Sequence, residues 1–69
     1  MSVFSRRLRE QRMAQGKKQA DMSALLGIGL RSYQAYEGGD REPNFEKLVV
    51  IARFLKVSTD YLLGLKDTP

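Results

Sequence analysis

The sequence contains no cysteine and no histidine, and both absences narrow its chemistry. Without cysteine the chain has no disulfide bond and no thiolate metal site. Without histidine it lacks the commonest general base and the commonest metal ligand. No nucleophile–base pair, metal-ligand cluster or glycine-rich phosphate loop is found either. We therefore predict a protein that is not an enzyme, holds no metal and uses no cofactor, and no small-molecule site is evident.

Long apolar stretches are also missing. No uncharged apolar run approaches the ~18 residues of a membrane span. Arg6, Arg7 and Arg9 come too early for the hydrophobic region of a signal peptide. The expected location is the cytoplasm, with no membrane partner. A chain of 69 residues has room for one small domain, which we expect to occupy residues 1–69.

Positive charge is concentrated in the first part of the chain. Residues 1–31 carry seven basic and two acidic side chains, a net charge of +5, whereas residues 32–69 carry five basic and six acidic side chains, a net charge of −1. A basic region favours a polyanionic partner, because binding releases the counterions of that partner. Charge alone does not separate this hypothesis from an ordinary solvated surface.

Glycine and proline divide the sequence into segments with helical spacing of apolar residues, and no segment alternates like a strand. We predict an all-α domain with helices at about 3–15, 19–25, 30–37, 44–55 and 59–63. Ser2, Asn44 and Ser58 are suited to cap helices. The residues expected to face the core are Phe4, Leu8, Met22, Leu25, Leu26, Tyr33, Tyr36, Phe45, Leu48, Val49, Ala52 and Leu55.

The second and third predicted helices are joined by Gly27-Ile28-Gly29, which is the short, glycine-containing connection of a helix-turn-helix. In such a unit the first helix crosses the DNA backbone and the second lies in the major groove. Arg31 and Gln34 fit this role, since arginine can donate to guanine O6 and N7 and glutamine can pair with adenine N6 and N7. Leu30 and Ala35 are weaker candidates for contact with thymine methyl groups.

The combined spacing resembles the Cro/repressor-type (XRE-like) helix-turn-helix domains of bacterial and phage regulators. The resemblance covers about Phe4 to Gly64. The residues that carry it are Leu8, Arg12, Gln19, Met22, Leu26, Gly27, Ile28, Tyr33, Tyr36, Glu37, Gly39, Pro43, Leu48, Ala52, Leu55, Val57, Ser58 and Leu62 to Gly64. It implies a compact, lambda-repressor-like fold of five helices in a bacterial or phage-encoded protein.

The resemblance also implies a role for particular residues. Arg12 and Glu37 match an ion pair that ties the first helix to the end of the third. Gln19 matches a residue that touches the DNA backbone and braces the reading helix. Other positions that approach phosphates are Gly38, Arg41 and Asn44. Lys18 departs from the usual Ser or Thr cap, and we expect it to add a phosphate contact instead.

The family usually binds as a homodimer to a palindromic operator, and we expect a repressor that does the same. The candidate dimer patch consists of Val50, Phe54, Tyr61, Leu62 and Leu65. Two alternatives stay open at this point. One is a protein-interaction module that uses the same fold, and the other is an antitoxin-like protein that neutralises a partner and represses its own gene.

Overall fold

The computed structural model describes residues 2–69 and contains five α-helices, with no strand in that range. The helices are α1 (Val3–Ala14), α2 (Gln19–Leu26), α3 (Leu30–Gly38), α4 (Phe45–Leu55) and α5 (Thr59–Leu63). The prediction of an all-α, five-helix fold is confirmed, and no predicted helix end is off by more than one residue. None of the helices described is both long and apolar enough to cross a lipid bilayer.

Side chains that cap the helices explain why their starts are readable from the sequence. Ser2 Oγ accepts from the Ser5 amide at 3.1 Å, and Ser5 Oγ accepts in return from the Ser2 amide at 2.9 Å. Asn44 and Ser58 accept from backbone amides in the first turns of α4 and α5, at 2.8 and 3.0 Å. Each of these bonds satisfies a donor that a helix start leaves unpaired.

The connection between α2 and α3 depends on a left-handed residue. Gly27 has φ +64°, and the Ile28 amide donates back to the Ser23 carbonyl at 3.1 Å. Open space surrounds the position where a Cβ atom would stand on Gly27. Glycine is therefore favoured here by backbone conformation and not by lack of room. The chain turns sharply enough to bring α3 against α2, as a helix-turn-helix requires.

The core lies where the five helices meet. Helix α1 packs on α3 and α5, α2 packs on α3 and α4, and α4 packs on α5. The buried apolar residues are Phe4, Leu8, Met22, Tyr33, Tyr36, Leu48, Ile51, Ala52, Leu55, Val57, Tyr61 and Leu62. Leu26, Ile28 and Phe54 pack against this cluster from its margin.

The apolar face of α4 differs from the prediction. Phe45 is 86% exposed and Val49 is 41% exposed, whereas the unpredicted Ile51 is completely buried. The predicted and observed faces share Leu48 and Ala52, as well as Leu55. Val49 lies on one side of these three shared residues and Ile51 on the other. Because both are apolar, helical periodicity did not determine which of the two faces the other helices. The packing of α4 on α2 and α5 selects the Ile51 side.

Three other apolar residues also lie elsewhere than expected. Leu25 is 38% exposed, so α2 contributes Met22 and part of Leu26 to the core. Tyr61 and Leu62 are buried inside the domain, and neither is available to the predicted dimer patch. Helix α5 is short, and it packs these two large side chains against α1 and α4 instead of leaving them on the surface.

Arg7 joins α1 to α5 and to the segment that follows α5, which the sequence did not indicate. Its Nη1 donates to the carbonyl oxygens of Tyr61 at 2.5 Å and Lys66 at 2.7 Å. The guanidinium also lies 4.2 Å from the centroid of the Tyr61 ring. An arginine over an aromatic face contributes cation–π attraction as well as hydrogen bonding. Arg7 therefore acts as a structural residue and not as a free surface charge.

The corrected face of α4 predicts how two substitutions differ. Ile51→Ala should lower the free energy of unfolding by about 2–5 kcal/mol, because it removes completely buried methyl groups and leaves a cavity. Val49→Ala is the matched control and should cost less than about 1 kcal/mol, since Val49 is already 41% exposed and its loss leaves no enclosed cavity. Urea denaturation measures both values. Equal losses for the two variants would contradict the placement of Ile51 in the core.

Candidate nucleic-acid interface

The predicted ion pair between Arg12 and Glu37 is present and well formed. Arg12 Nε donates to Glu37 Oε2 at 2.6 Å, and Arg12 Nη2 donates to Oε1 at 3.1 Å. Only 4% of the Glu37 side chain is exposed. Two parallel bonds from one guanidinium hold the carboxylate in a single orientation. The pair therefore joins α1 to the end of α3 across 25 residues of sequence.

Two further side chains complete the set of donors around the carboxylate. The Tyr33 hydroxyl donates to Glu37 Oε2 from one turn earlier on α3. Gln19 Nε2, at the start of α2, donates to Glu37 Oε1 at 3.1 Å. The Glu37 carboxylate thus receives bonds from α1, α2 and α3. No buried side-chain polar atom among residues 2–69 lacks a partner, so the cost of burying this charge is offset by hydrogen bonds.

The network shifts the pKa values of its members. Burial by itself would raise the pKa of Glu37, but the hydrogen bonds from Arg12, Tyr33 and Gln19 outweigh it and lower the pKa below its ordinary value. Burial raises the pKa of Tyr33, and its bond to the Glu37 carboxylate adds to the effect. The bond to Glu37 raises the pKa of Arg12. At neutral pH, Glu37 is a carboxylate with only acceptor atoms.

The opposite face of α3 is open to solvent. Leu30 is 45% exposed, Arg31 and Gln34 are exposed, and Ala35 is half-buried. These are the residues proposed from the sequence to contact bases. Gln34 is held in place by a side chain from α2, because its Nε2 donates to Gln19 Oε1 at 3.1 Å. Nothing in the sequence predicts that contact.

The residues expected to approach phosphates lie at the start of α2, at the end of α3 and in the connection from α3 to α4. Lys18, Gly38, Arg41 and Asn44 are exposed, and Gln19 is half-buried. Lys18 precedes α2 without a side-chain cap, and its amide donates instead to the Asp21 carboxylate at 2.8 Å. Asn44 uses its Oδ1 to cap α4, which leaves the NH₂ group as its donor.

Arg9 also lies beside the predicted site, although the sequence did not indicate it. It borders an open cleft of about 350 Å³ that is also lined by Gln19, Gln34, Glu37 and Gly38. Arg9 is exposed on α1, ten residues before Gln19 in sequence, and the fold brings both residues to this cleft. A charged residue on the first helix gives no local sign that it faces the reading helix.

The candidate dimer patch is reduced to its exposed members. Val50 is 38% exposed and Leu65 is 78% exposed. Phe54 is partly buried against the core, and the Lys17 ammonium lies 5.2 Å from its ring centroid. Tyr61 and Leu62 belong to the core, as described above.

Comparison with known proteins gives the family. A profile described as helix-turn-helix matches residues 8–62, most of the chain. The chain belongs to the helix-turn-helix family. The matched range includes Arg12, Gln19 and Glu37, which form the buried network, as well as the exposed face of α3.

Curated relatives are transcriptional regulators by name. The chain is 39% identical over 67 residues to the uncharacterized HTH-type transcriptional regulator YobD of Bacillus subtilis, covering 97% of this chain and 60% of that protein. It is 48% identical over 58 residues to the cryptic phage CTXphi transcriptional repressor RstR of Vibrio cholerae, covering 84% of this chain and 52% of that protein. The chain therefore spans about half to 60% of the length of these relatives.

Solved structures share the arrangement of helices. The P22 c2 repressor, crystallised in complex with a synthetic operator, has a TM-score of 0.84 and 27% identity, and the match covers 96% of this chain and 100% of that one. A transcriptional regulator from Listeria innocua has a TM-score of 0.83 and 30% identity, with 88% of this chain and 57% of that chain covered. The fold is that of a repressor-type helix-turn-helix domain.

The buried network predicts a large effect of Glu37→Ala on folding. The substitution leaves the Arg12 charge and the Tyr33 and Gln19 donors without their acceptor, which should cost about 3–5 kcal/mol near neutral pH. The exposed Glu42→Ala is the matched control and should change stability by less than about 0.5 kcal/mol. Chemical denaturation followed by circular dichroism gives both free energies.

The same pair of variants has an expected pH dependence. Because the folded-state pKa of Glu37 lies below its ordinary value of 4.5, its stabilising contribution is present above that value and is lost as the pH falls through the folded-state pKa. The difference between wild type and Glu37→Ala should therefore shrink below pH 4.5. A difference that stays constant down to the acid transition would show that the ionised carboxylate does not carry the stabilisation.

Proposed function

We propose that this chain is a sequence-specific DNA-binding regulator of transcription, acting as a repressor with α3 in the major groove. The observation that carries the proposal is the division of α3 into two faces. One face is fastened to α1 and α2 through Glu37, and the other exposes Arg31 and Gln34. A helix whose buried face is fixed to the rest of the domain and whose exposed face carries polar side chains is suited to reading base edges.

The exposed side chains match the chemistry of the groove. Arg31 has the forked donors that fit guanine O6 and N7, and Gln34 has the donor and acceptor that fit adenine N7 and N6. Leu30 and Ala35 contribute apolar surface for thymine methyl groups. The major groove of B-DNA is wide enough for a single helix, so these residues would reach bases together.

Phosphate contacts are assigned to residues at the start of α2, around the end of α3 and beside the cleft next to Gln34. Lys18, Gln19, Gly38, Arg41 and Asn44 would hold the backbone, and we add Arg9 because it borders the cleft beside Gln34. Such contacts determine how the protein sits on the duplex but carry little sequence information. The excess of positive charge in residues 1–31 supports this assignment.

Two named proteins support repression in particular. RstR is a phage transcriptional repressor, and the P22 c2 repressor was crystallised on operator DNA. The similarity covers 84% of this chain for RstR and 96% for the P22 c2 repressor, which supports a DNA-binding role for this domain. We assign the chain a binding role and no catalytic one, in the cytoplasm where chromosomal or phage DNA is accessible.

We further propose that the protein binds a palindromic operator as a homodimer. Two copies of α3 would then enter successive major grooves about 34 Å apart. Val50 and Leu65 are the exposed apolar residues of the original patch, and burying them would favour self-association. Analytical ultracentrifugation with and without operator tests the dimer. A species that remains monomeric at tens of micromolar protein and binds one copy per operator would contradict it.

Selection of bound duplexes from a random library tests the proposed function directly. The enriched sites should contain two inverted half-sites, and their affinity should fall steeply with salt because cationic side chains displace counterions from phosphates. A chain that enriches no sequence and binds random duplexes without salt dependence would contradict DNA recognition.

Two substitutions should separate base contact from phosphate contact. Arg31→Ala should weaken binding to the selected site by about 1–3 kcal/mol and relax the preference at one base pair. Lys18→Ala should weaken binding to all sequences alike. It should also reduce the slope of log binding constant against log salt concentration by about 1. Fluorescence anisotropy on the selected site and on single-base variants measures both effects. An Arg31→Ala variant with an unchanged base preference would contradict the role of Arg31.

A further inference from the structure

The first turns of α1 and α4 and the end of α5 enclose an apolar groove of about 150 Å³ that is open on one side. Its lining residues are Phe4, Glu42, Pro43, Phe45, Leu48 and Leu63. None of them belongs to the exposed face of α3 that we assign to base contact, and none is a proposed phosphate contact. The groove is therefore a surface that the proposed function leaves unused.

Large apolar side chains border the groove and remain exposed. Phe45, the first residue of α4, is 86% exposed, and Leu63, the last residue of α5, is 52% exposed. Phe4 and Leu48 are buried and form the floor of the groove. A single exposed apolar residue needs no explanation, but aromatic residues are enriched in the cores of protein interfaces. An exposed phenylalanine beside an apolar recess therefore has the composition of a docking site.

The volume of the groove selects the size of its occupant. An apolar cavity of about 150 Å³ holds one benzene molecule, so a single leucine- or phenylalanine-sized side chain fills it. Binding sites for small molecules are usually larger, about 300–1,000 Å³, because they bury most of the ligand. The groove is thus suited to one anchoring side chain of a protein partner and too small for an effector molecule.

The charge at the groove favours a cationic partner. Glu42 is the one charged residue in the lining, it is exposed, and it takes part in none of the three ion pairs within residues 2–69. Glu46, next to Phe45 in sequence, is also exposed and takes part in none of them. Arg41 precedes Glu42 but does not line the groove. These carboxylates repel phosphates and attract lysine or arginine side chains, so the groove fits a basic protein segment and not DNA.

The same charges argue against a second copy of this chain as the occupant. In a two-fold symmetric dimer the groove of one copy would face the groove of the other. Glu42 and Glu46 would then meet the same two carboxylates across the interface, and like charges brought together weaken association. A different protein with basic residues avoids this repulsion.

We propose that the groove is a docking site for a basic amphipathic helix of another protein. One leucine- or phenylalanine-sized side chain of that helix would fill the groove against Phe45 and Leu63. A lysine or arginine three or four residues away, on the same face of the helix, would pair with Glu42. Apolar grooves in other proteins bind helices through anchors at this spacing. The site goes beyond the proposed function and does not depend on DNA binding.

Selection from a library of random peptides about 15 residues long, which is roughly four helical turns, tests the site in the free protein. The enriched peptides should contain a large apolar residue with a lysine or arginine three or four positions away. Adding them should shift the NMR amide resonances of the residues that line the groove. Enrichment of no peptide, or of peptides without a basic residue, would overturn the proposal, and so would resonance shifts confined to other surfaces.

Two substitutions on α4 test whether the groove is where a selected peptide binds. Phe45→Ala should weaken binding by about tenfold or more, as expected for an interface anchor. Val49→Ala, one turn further along α4 and outside the groove lining, is the matched control and should change the affinity by less than about twofold. Fluorescence anisotropy of the labelled peptide measures both affinities, and circular dichroism checks that both variants fold. Equal losses in the two variants would overturn the proposal.

Charge reversal tests the ion pair separately. Glu42→Lys should weaken binding of the selected basic peptide by about tenfold, because it places like charges together. Replacing the cation of the peptide with glutamate should restore most of the affinity for this variant and lower the affinity for the wild type. If the glutamate peptide binds Glu42→Lys no better than the basic peptide does, the proposed pairing is wrong.

Two measurements without peptide separate the other occupants. Phe45→Ala should leave unchanged both the sedimentation behaviour of the protein and its affinity for duplex DNA. A wild-type dimer that Phe45→Ala dissociates would assign the groove to a second copy, and a loss of DNA affinity as large as that of Lys18→Ala would assign it to DNA. Either result overturns the proposal. Failure of the wild type to bind any duplex would instead overturn the proposed function alone.

Discussion

The carboxylate of Glu37 is the group on which the rest of the structure depends. It lies at the junction of α1, α2 and α3 and accepts hydrogen bonds from one side chain of each, namely Arg12, Gln19 and Tyr33. In a domain of 69 residues the apolar core is small, so the relative placement of three short helices needs more than hydrophobic contact. A buried charge with a full set of directional partners has few alternative arrangements, because any shift leaves a donor or acceptor unpaired.

The same carboxylate links folding to recognition. Glu37 is fixed by Arg12 on the inner side of α3, and through Gln19 it reaches Gln34 on the outer side. Gln34, a side chain that would contact bases, is therefore supported through Gln19 by the buried carboxylate of Glu37. Side chains supported in this way lose little conformational freedom on binding, which favours a defined base preference over a general affinity for polyanions.

Features that depend on neighbouring residues were predictable from the sequence. The caps at Ser2, Asn44 and Ser58 and the left-handed Gly27 involve contacts within a few residues, and the helix bounds follow from them. The face of α4 was not predictable in the same way. Its apolar residues surround more than half of the helix, so Ile51 and Val49 were equally suited to the core until α2 and α5 packed against one side.

The sequence by itself determined the helices and the turn between α2 and α3. The spacing that it shares with the family also predicted the pairing of Arg12 with Glu37. Only the tertiary structure decided that Gln19 bridges Glu37 and Gln34 and that Arg7 binds the carbonyl oxygens of Tyr61 and Lys66. It also decided that Tyr61 and Leu62 are core residues. The physical reason is range: helix periodicity and capping act over three or four residues, whereas these contacts join residues that are brought together only when the helices pack.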